Sequence, residues 1–147
     1  MRMTQHTSYA LRMLIYVALR PDGSCTVHDV AAAYGISRHH LLKVAQTLRG
    51  IGAIETTRGR AGGIRLAAPP GRINVGAVVR ETEGACSLVE CMAGDGACRI
   101  TPACRLSGML AAALAAYFAV LDRYTLADLV GNRRALRGLL DIDSQAA

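Results

Sequence analysis

The amino-acid sequence predicts a mainly α-helical fold that carries one small β-hairpin. Apolar residues recur at helical spacing in several segments, and turns containing glycine or proline separate these segments. A glycine-rich turn also lies between two short runs of strand-forming residues. Hydrophobic residues make up 52% of the 147 residues and aromatic residues only 4%, so we expect an aliphatic core.

Two helices are expected near the start of the chain. Residues 7–19 carry apolar side chains at helical spacing, and the turn at residues 21–23 ends this helix. Thr26 and Asp29 have the spacing of a capping box, in which each side chain accepts a hydrogen bond from the other residue's backbone. They predict the start of a second helix, which ends at Gly35.

A third helix, capped by Ser37, is predicted after the tight turn at Gly35. Two short helices joined in this way are typical of a helix-turn-helix motif, whose second helix enters the major groove of DNA. Because the apolar side chains of the third helix face the core, its polar side chains face outward, Thr47 among them. The residues of this segment that we expect to contact DNA are Ser37, Arg38, His39, His40, Lys43 and Gln46.

A β-hairpin is predicted next, with strands at residues 54–57 and 63–66. Its glycine-rich tip allows close approach to DNA, so we interpret the hairpin as the wing of a winged helix-turn-helix. Arg60 at the tip suits a narrow, electronegative minor groove. The arginines of this hairpin that we expect to contact DNA are Arg58, Arg60 and Arg65.

The charge of the chain also favours nucleic acid as a partner. The formal net charge is +6, and 16 of the 17 basic residues are arginine, Lys43 being the exception. Guanidinium groups bind phosphate oxygens in a bidentate manner and are weakly hydrated. A general compositional preference for arginine and alanine is the alternative explanation.

Three further helices are predicted in the second half of the chain. Asn74 caps a helix over residues 75–82, and Thr125 caps a last helix that runs through Leu129. Between them, residues 106–124 form a long helix that is too apolar to stand alone. We expect it to pack against the same helix of a second chain, giving a homodimer on a palindromic operator with recognition helices about 34 Å apart. Packing across its own domain is the alternative.

Three cysteines, Cys91, Cys98 and Cys104, lie within 14 residues just before this long helix. Thiolates hold zinc or iron–sulfur clusters, and the spacing lacks the tight C-x2-C pairs of zinc sites. An iron–sulfur cluster is therefore favoured, with a thiol switch and a structural zinc site as alternatives. Cys25 is expected to be a bystander. The candidates for a fourth ligand are His6 and Ser8 from a second subunit, Cys86, Glu90 and Asp95.

These patterns divide the chain into four parts and exclude several classes of protein. We expect a winged helix-turn-helix domain at residues 1–83, a cysteine-rich loop at 84–107, dimerisation and C-terminal helices at 106–141 and a tail at 142–147. The chain contains no P-loop, GxSxG or HExxH motif, so an enzyme is not expected. No apolar run reaches the roughly 18–20 residues of a membrane span, and no signal core is present, so a cytoplasmic protein is expected.

The motifs together resemble the family of iron–sulfur winged helix-turn-helix repressors of the IscR, NsrR and RirA kind. The resemblance covers nearly the whole chain. The segments that carry it are MRMTQHTSYALRML, YGISRHHLLKV, RGRAGGIRL, SLVEC, CRITPACRL and TLADLV. Among the branches of this family, the last three segments are most similar to the nitric-oxide-sensitive NsrR type, whereas TSYALRML is also similar to the iron-responsive RirA type.

The resemblance implies that Cys91, Cys98 and Cys104 ligate an iron–sulfur cluster, with the 2Fe–2S type favoured over 4Fe–4S. It also implies a homodimer that binds double-stranded DNA through the third helix and the wing. The expected function is a repressor that senses nitric oxide and loses DNA affinity when the cluster is nitrosylated. An iron-responsive repressor, a thiol-switch repressor and an iron–sulfur carrier are the alternatives. The chain departs from relatives at Ser107, where IscR-like members have a ligand histidine, and at Ser8, where some NsrR members have an acidic residue.

Overall fold

A computed structural model describes residues 3–57, 63–84, 89, 98–100 and 103–142, and within these ranges the predicted mainly α-helical fold is confirmed. The described elements are α1 (Gln5–Leu19), β1 (Ser24–Cys25), α2 (Val27–Tyr34), α3 (Arg38–Gly50), β2 (Ile54–Thr56), β3 (Ile64–Leu66), a 3₁₀ turn (Pro70–Arg72), α4 (Val75–Glu83), α5 (Leu106–Leu121), α6 (Leu126–Leu129) and α7 (Arg133–Leu139).

The boundaries of the helix-turn-helix follow local backbone chemistry. The Thr26 side chain accepts from the Asp29 N–H at 3.2 Å, and the Asp29 carboxylate accepts from the Thr26 N–H at 2.7 Å, which confirms the predicted capping box. Gly35 ends α2 in the left-handed conformation, with φ 62° and ψ 34°, a region that glycine enters without a steric penalty. Ser37 occupies the predicted N-cap position of α3, although its side chain makes no capping hydrogen bond.

The strands form a three-stranded antiparallel sheet in the order β1-β3-β2. Ile54 pairs with Leu66 and Thr56 with Ile64, which confirms the predicted hairpin within a residue at its ends. Cys25 pairs with Ile64 from the other side, in a two-residue strand that was not predicted. A strand of two residues is too short to show an alternating pattern. The hairpin tip, residues 58–62, lies outside the described residues.

The core is built around α1, which packs against α3, α4, α6 and α7. It is aliphatic as predicted, apart from Tyr16, whose ring lies edge-on to Tyr34 with centroids 6.3 Å apart. The largest fully buried side chains include Tyr16, Met13, Leu14, Leu19, Leu41, Leu48, Ile54, Leu126 and Ile142. The buried Ile142 shows that residue 142, predicted to begin a tail, belongs to the core.

Helix α4 and the C-terminal end of α5 are held together by what we call the α4–α5 clamp: Gly76, Arg80, Phe118 and Asp122. Arg80 donates two hydrogen bonds to the Asp122 carboxylate, at 2.7 and 2.5 Å, and its guanidinium lies 4.6 Å from the centre of the Phe118 ring. Gly76 lies so close that a Cβ atom there would be 2.1 Å from Asp122 Oδ1. Because Gly76 lies against Asp122 and Arg80 lies against Phe118, the two helices run antiparallel at this contact.

Helix α5 differs from the other long helices because none of its 16 residues is buried. Its apolar side chains remain half-buried or exposed, and Met109 is 62% exposed. The helix ends at Leu121, three residues earlier than predicted. Within the described parts of the chain, no helix is long and apolar enough to cross a membrane.

The end of the chain contains one predicted helix and one that was missed. The Thr125–Asp128 capping box opens α6 as predicted, with the Thr125 N–H donating to the Asp128 carboxylate at 2.7 Å. Helix α7 follows α6 and was not predicted, because the helix that begins after Thr125 was expected to be the last one. Arg133, at the start of α7, donates to the Ala18 carbonyl at 2.6 Å. This hydrogen bond satisfies one of the backbone carbonyls that have no partner within the last turn of α1.

Candidate nucleic-acid interface and cysteine segment

The outward face of α3 carries the side chains that we predicted to contact DNA. Leu41, Val44 and Leu48 are buried on the opposite face, because residues three and four positions apart lie on one side of a helix. The polar side chains therefore face solvent and form a positively charged surface. The predicted contact residues that are exposed here are Ser37, Arg38, His39, His40, Lys43 and Gln46.

Thr47 departs from the prediction, because it is half-buried against α1. Its hydroxyl donates to the Lys43 carbonyl at 3.3 Å and lies 3.1 Å from Nε2 of His6. Either of these two atoms can be the donor, because the hydroxyl and the ring nitrogen can each donate or accept. The contact joins α1 to α3 through His6 and Thr47.

A cleft of about 200 Å³ opens between α1 and the outward face of α3. The rings of Tyr9 and His40 are 6.4 Å apart across it, and the Arg12 guanidinium lies 6.0 Å from the Tyr9 ring. The N-terminal half of α1 is thus a neighbour of the predicted DNA-contacting surface. The cleft is lined by Gln5, His6, Tyr9, His40, Lys43 and Val44.

The structure describes only one of the three wing arginines, since Arg58 and Arg60 lie outside the described residues. Arg65 is exposed on β3, where it pairs in register with Glu55. It borders a cavity together with Asp22 and Arg133, near the end of α1. The described geometry therefore places Arg65 beside α1 and α7, and its predicted contact with DNA stays a prediction.

The described cysteines lie in very different surroundings. Cys25 is only 4% exposed, and burial raises the pKa of its thiol to about 12, so this thiol is neutral at physiological pH. Cys98 is exposed and Cys104 is half-buried just before α5. Cys98 and Cys104 are therefore accessible to a ligand, and Cys25 is not. Four other predicted ligands, Cys86, Glu90, Cys91 and Asp95, lie outside the described residues.

The described donors fit part of a thiolate site. Among the residues that the structure describes, no group of three His, Cys, Asp or Glu side chains could hold a metal ion. Cys98 and Cys104 would supply soft sulfur ligands, and Arg99 and Arg105 next to them are exposed cations that would offset the charge of a thiolate-bound group. The two predicted ligands from the N-terminal region, His6 and Ser8, both lie half-buried on α1.

A further link joins the start of α1 to the end of α4, and it was not predicted from the sequence. The Glu83 carboxylate accepts from the Thr4 N–H at 2.7 Å and from the Thr4 hydroxyl at 3.1 Å. Thr4 is also the N-cap of α1, where its hydroxyl accepts from the Thr7 N–H at 3.2 Å. Glu83 ends α4, and the predicted cysteine-rich loop begins at the next residue. The only sequence signal was the capping preference of Thr4; its partner lies 79 residues away.

Comparisons with known proteins agree with this geometry. The model of the Rrf2 family, described as "Iron-dependent Transcriptional regulator", matches residues 3–132. The HTH-type transcriptional regulator NsrR of Geobacillus kaustophilus is 53% identical over 142 residues, which are 95% of this chain and 97% of that protein.

Solved structures are similar in fold. CymR, the global cysteine regulator of B. subtilis, aligns with a TM-score of 0.67 at 24% identity, over 90% of this chain and 98% of that one. IscR of T. potens aligns with a TM-score of 0.69 at 23% identity, over 90% of this chain and 88% of that one. At these identities the likeness concerns the winged helix-turn-helix fold.

Proposed function

We propose a sensing mechanism from one premise: this chain belongs to the Rrf2 family of transcriptional regulators. It is a transcriptional repressor and not an enzyme. The finer function that we infer is a cytoplasmic nitric-oxide sensor, in which an iron–sulfur cluster sets the affinity for DNA. The observation that carries this inference is the 53% identity to a regulator named NsrR, extending over a segment with three closely spaced cysteines.

Cys91, Cys98 and Cys104 are the residues that would hold the cluster, for which we propose the 2Fe–2S type. When bound, the cluster supplies iron that reacts with nitric oxide. The fourth ligand stays open among His6, Ser8, Cys86, Glu90 and Asp95. If His6 serves, it binds through Nδ1, because Nε2 is hydrogen-bonded to the Thr47 hydroxyl.

The chain itself provides a route from the cysteine loop to the recognition helix. The loop begins directly after Glu83, whose carboxylate holds Thr4 at the start of α1. Two residues further along the chain, His6 holds Thr47 of α3. A displacement at the start of the loop therefore moves α1, and α1 moves α3. A coupling of about 1–3 kcal/mol, typical of allosteric proteins, corresponds to a roughly 5- to 150-fold change in DNA affinity.

The proposed functional unit is a homodimer that pairs through α5. A helix of this apolarity without a buried residue in its own chain is expected to bury its face against a partner. Two-fold symmetry then presents two α3 helices to successive major grooves of a palindromic operator. The outward residues of α3 and the arginines of the wing supply the contacts.

The experiment that tests the sensor uses protein purified without oxygen, with absorption spectra and DNA binding followed during nitric oxide titration. We expect the visible absorption to change and DNA affinity to fall at the same equivalents of nitric oxide. Colourless, iron-free protein that binds its operator with full affinity would exclude the proposal.

A pair of cysteine substitutions makes the test specific. Cys98→Ala should remove the visible absorption and weaken operator binding, because Cys98 is an exposed ligand candidate. Cys25→Ala is the matched control: its thiol is buried and neutral, so this variant should keep its colour and its response, with a stability loss of about 1 kcal/mol. Equal colour in the two variants would refute the ligand assignment.

An iron-responsive repressor is the second candidate, because the description of the family names iron dependence. Iron limitation would then release the repressor from DNA, whereas nitric oxide alone would leave the protein–DNA complex intact. Chelator titration beside the nitric oxide titration distinguishes these two signals.

A further inference from the structure

We infer that Leu42 reads the C5 methyl group of thymine in the operator, an inference that rests on the proposed DNA-binding function. Leu42 is 43% exposed, although the neighbouring Leu41 is fully buried in the core. It lies three residues after His39 and four before Gln46, so all three share the outward face of α3. An apolar side chain thus lies in the middle of the surface predicted to meet DNA.

The position of Leu42 distinguishes it from an ordinary surface leucine. Single exposed leucines are common in proteins and need no explanation. The other large apolar side chains that are exposed in the described residues lie outside the helix-turn-helix, mainly at or near α5 and at the chain ends. Leu42 alone among them lies on α3, flanked by side chains that carry hydrogen-bond donors or positive charge.

The chemistry of the major groove then selects the target. The base edges there present hydrogen-bond donors and acceptors, with the C5 methyl of thymine as their apolar group. Leucine has no donor or acceptor, so placing it against a polar base edge removes water without replacing the lost hydrogen bonds. Against a thymine methyl, both groups lose contact with water, which is favourable.

The test removes only that methyl group. A duplex is first selected from a randomised library by the native protein, and each thymine is then replaced, in both half-sites, by deoxyuridine. We expect one position per half-site at which native affinity falls about 3- to 4-fold per methyl, or about 10-fold for the symmetric pair. Leu42→Ala should bind the thymine and deoxyuridine duplexes equally, whereas Leu42→Met should retain the preference.

Lys43→Ala is the matched control on the same helix face. A phosphate or polar contact contributes to all duplexes alike, so this variant should bind every duplex more weakly and keep the full preference for thymine. The inference is overturned if no thymine matters to the native protein, or if Leu42→Ala still prefers thymine. Failure to select any duplex overturns the proposed DNA binding itself, and these two failures are therefore distinguishable.

Discussion

At the scale of single residues, Gly76 shows how the absence of a side chain positions a helix. The clamp brings the last turn of α5 so close to α4 that a Cβ at position 76 would meet both the Asp122 carboxylate and its backbone N–H, the latter at 3.0 Å. The carboxylate could rotate away only by leaving Arg80, and the backbone could give way only by shifting α5. Glycine is therefore required here for close approach.

Gly76→Ala should lower the free energy of unfolding by about 1 kcal/mol, because steric displacement outweighs the better helix propensity of alanine. Gly138→Ala is the control: Gly138 lies in α7 with open space around its Cβ position, so alanine should stabilise by about 0.5–1 kcal/mol. Thermal or urea unfolding of both variants measures the two effects. A stabilised Gly76→Ala protein would contradict the tight contact.

Asp122 predicts a specific dependence of stability on pH. Its hydrogen bonds from Arg80 lower the pKa of its carboxyl group below the usual range. Since the folded pKa is depressed, the stabilisation is fully present above the ordinary carboxyl pKa and is lost as pH falls through the folded value.

The melting temperatures of the native protein and of Asp122→Asn should therefore differ at neutral pH and converge in strongly acidic buffer. Melting curves recorded from pH 7 down to about pH 2 measure this convergence, because the folded pKa lies below the ordinary carboxyl value. A difference that stays constant over the whole range would show that the carboxylate charge does not act in the clamp.

At the scale of elements, the contact between the start of α1 and the end of α4 carries the proposed signal. Glu83→Ala removes two hydrogen bonds to Thr4 and should destabilise the chain by about 1 kcal/mol. Faster amide exchange is expected in the first turn of α1. The ratio of DNA affinities between cluster-loaded and cluster-free protein should also shrink.

Glu81→Ala provides the comparison on the same helix. Glu81 is exposed and lines a different cavity, beside Arg72 and Ala77. Its loss should leave both the exchange of α1 and the ratio of DNA affinities unchanged. If the two variants behave alike, the route through Thr4 is not the coupling path.

The sequence predicted those elements whose ends are encoded locally. The capping boxes at Thr26 and Thr125 and the cap at Asn74 marked three helix starts, because each involves residues three positions apart. β1 and α7 were not predicted. β1 has two residues and exists through its pairing with β3, and α7 has seven residues, which are too few to repeat a helical pattern of apolar side chains.

In the candidate site, too, the features encoded by local sequence were predicted and those that depend on tertiary contacts were not. Helical spacing correctly predicted that Arg38, Lys43 and Gln46 face outward. It failed for Thr47, because the partner of Thr47 is His6, 41 residues earlier in the chain. The link between Glu83 and Thr4 depends in the same way on tertiary packing, which no local pattern reports.

At the scale of the whole molecule, the exposed apolar surface of α5 predicts the oligomeric state. Met109→Glu places a charge where we propose that two chains meet, and burying it without a partner is unfavourable. Sedimentation should show a shift from dimer to monomer, and operator affinity should fall because each half-site is then bound separately.

Leu139→Glu is the control, since Leu139 is 81% exposed on α7, outside the proposed interface. This variant should stay dimeric and bind the operator normally. A Met109→Glu protein that sediments as the native one does would place the interface elsewhere.

The clamp also has a mechanical consequence. It joins the N-terminal end of α4, which has 9 residues, to the C-terminal end of α5, which has 16 residues. Helix α5 is about 24 Å long and therefore extends about 10 Å beyond α4. In the proposed dimer, the part of α5 that extends past α4 packs against the partner helix, and Cys104 precedes this end. A tilt of about 10° near Asp122 would move this end by about 4 Å, so a change at the cysteines would alter the pairing of the two chains.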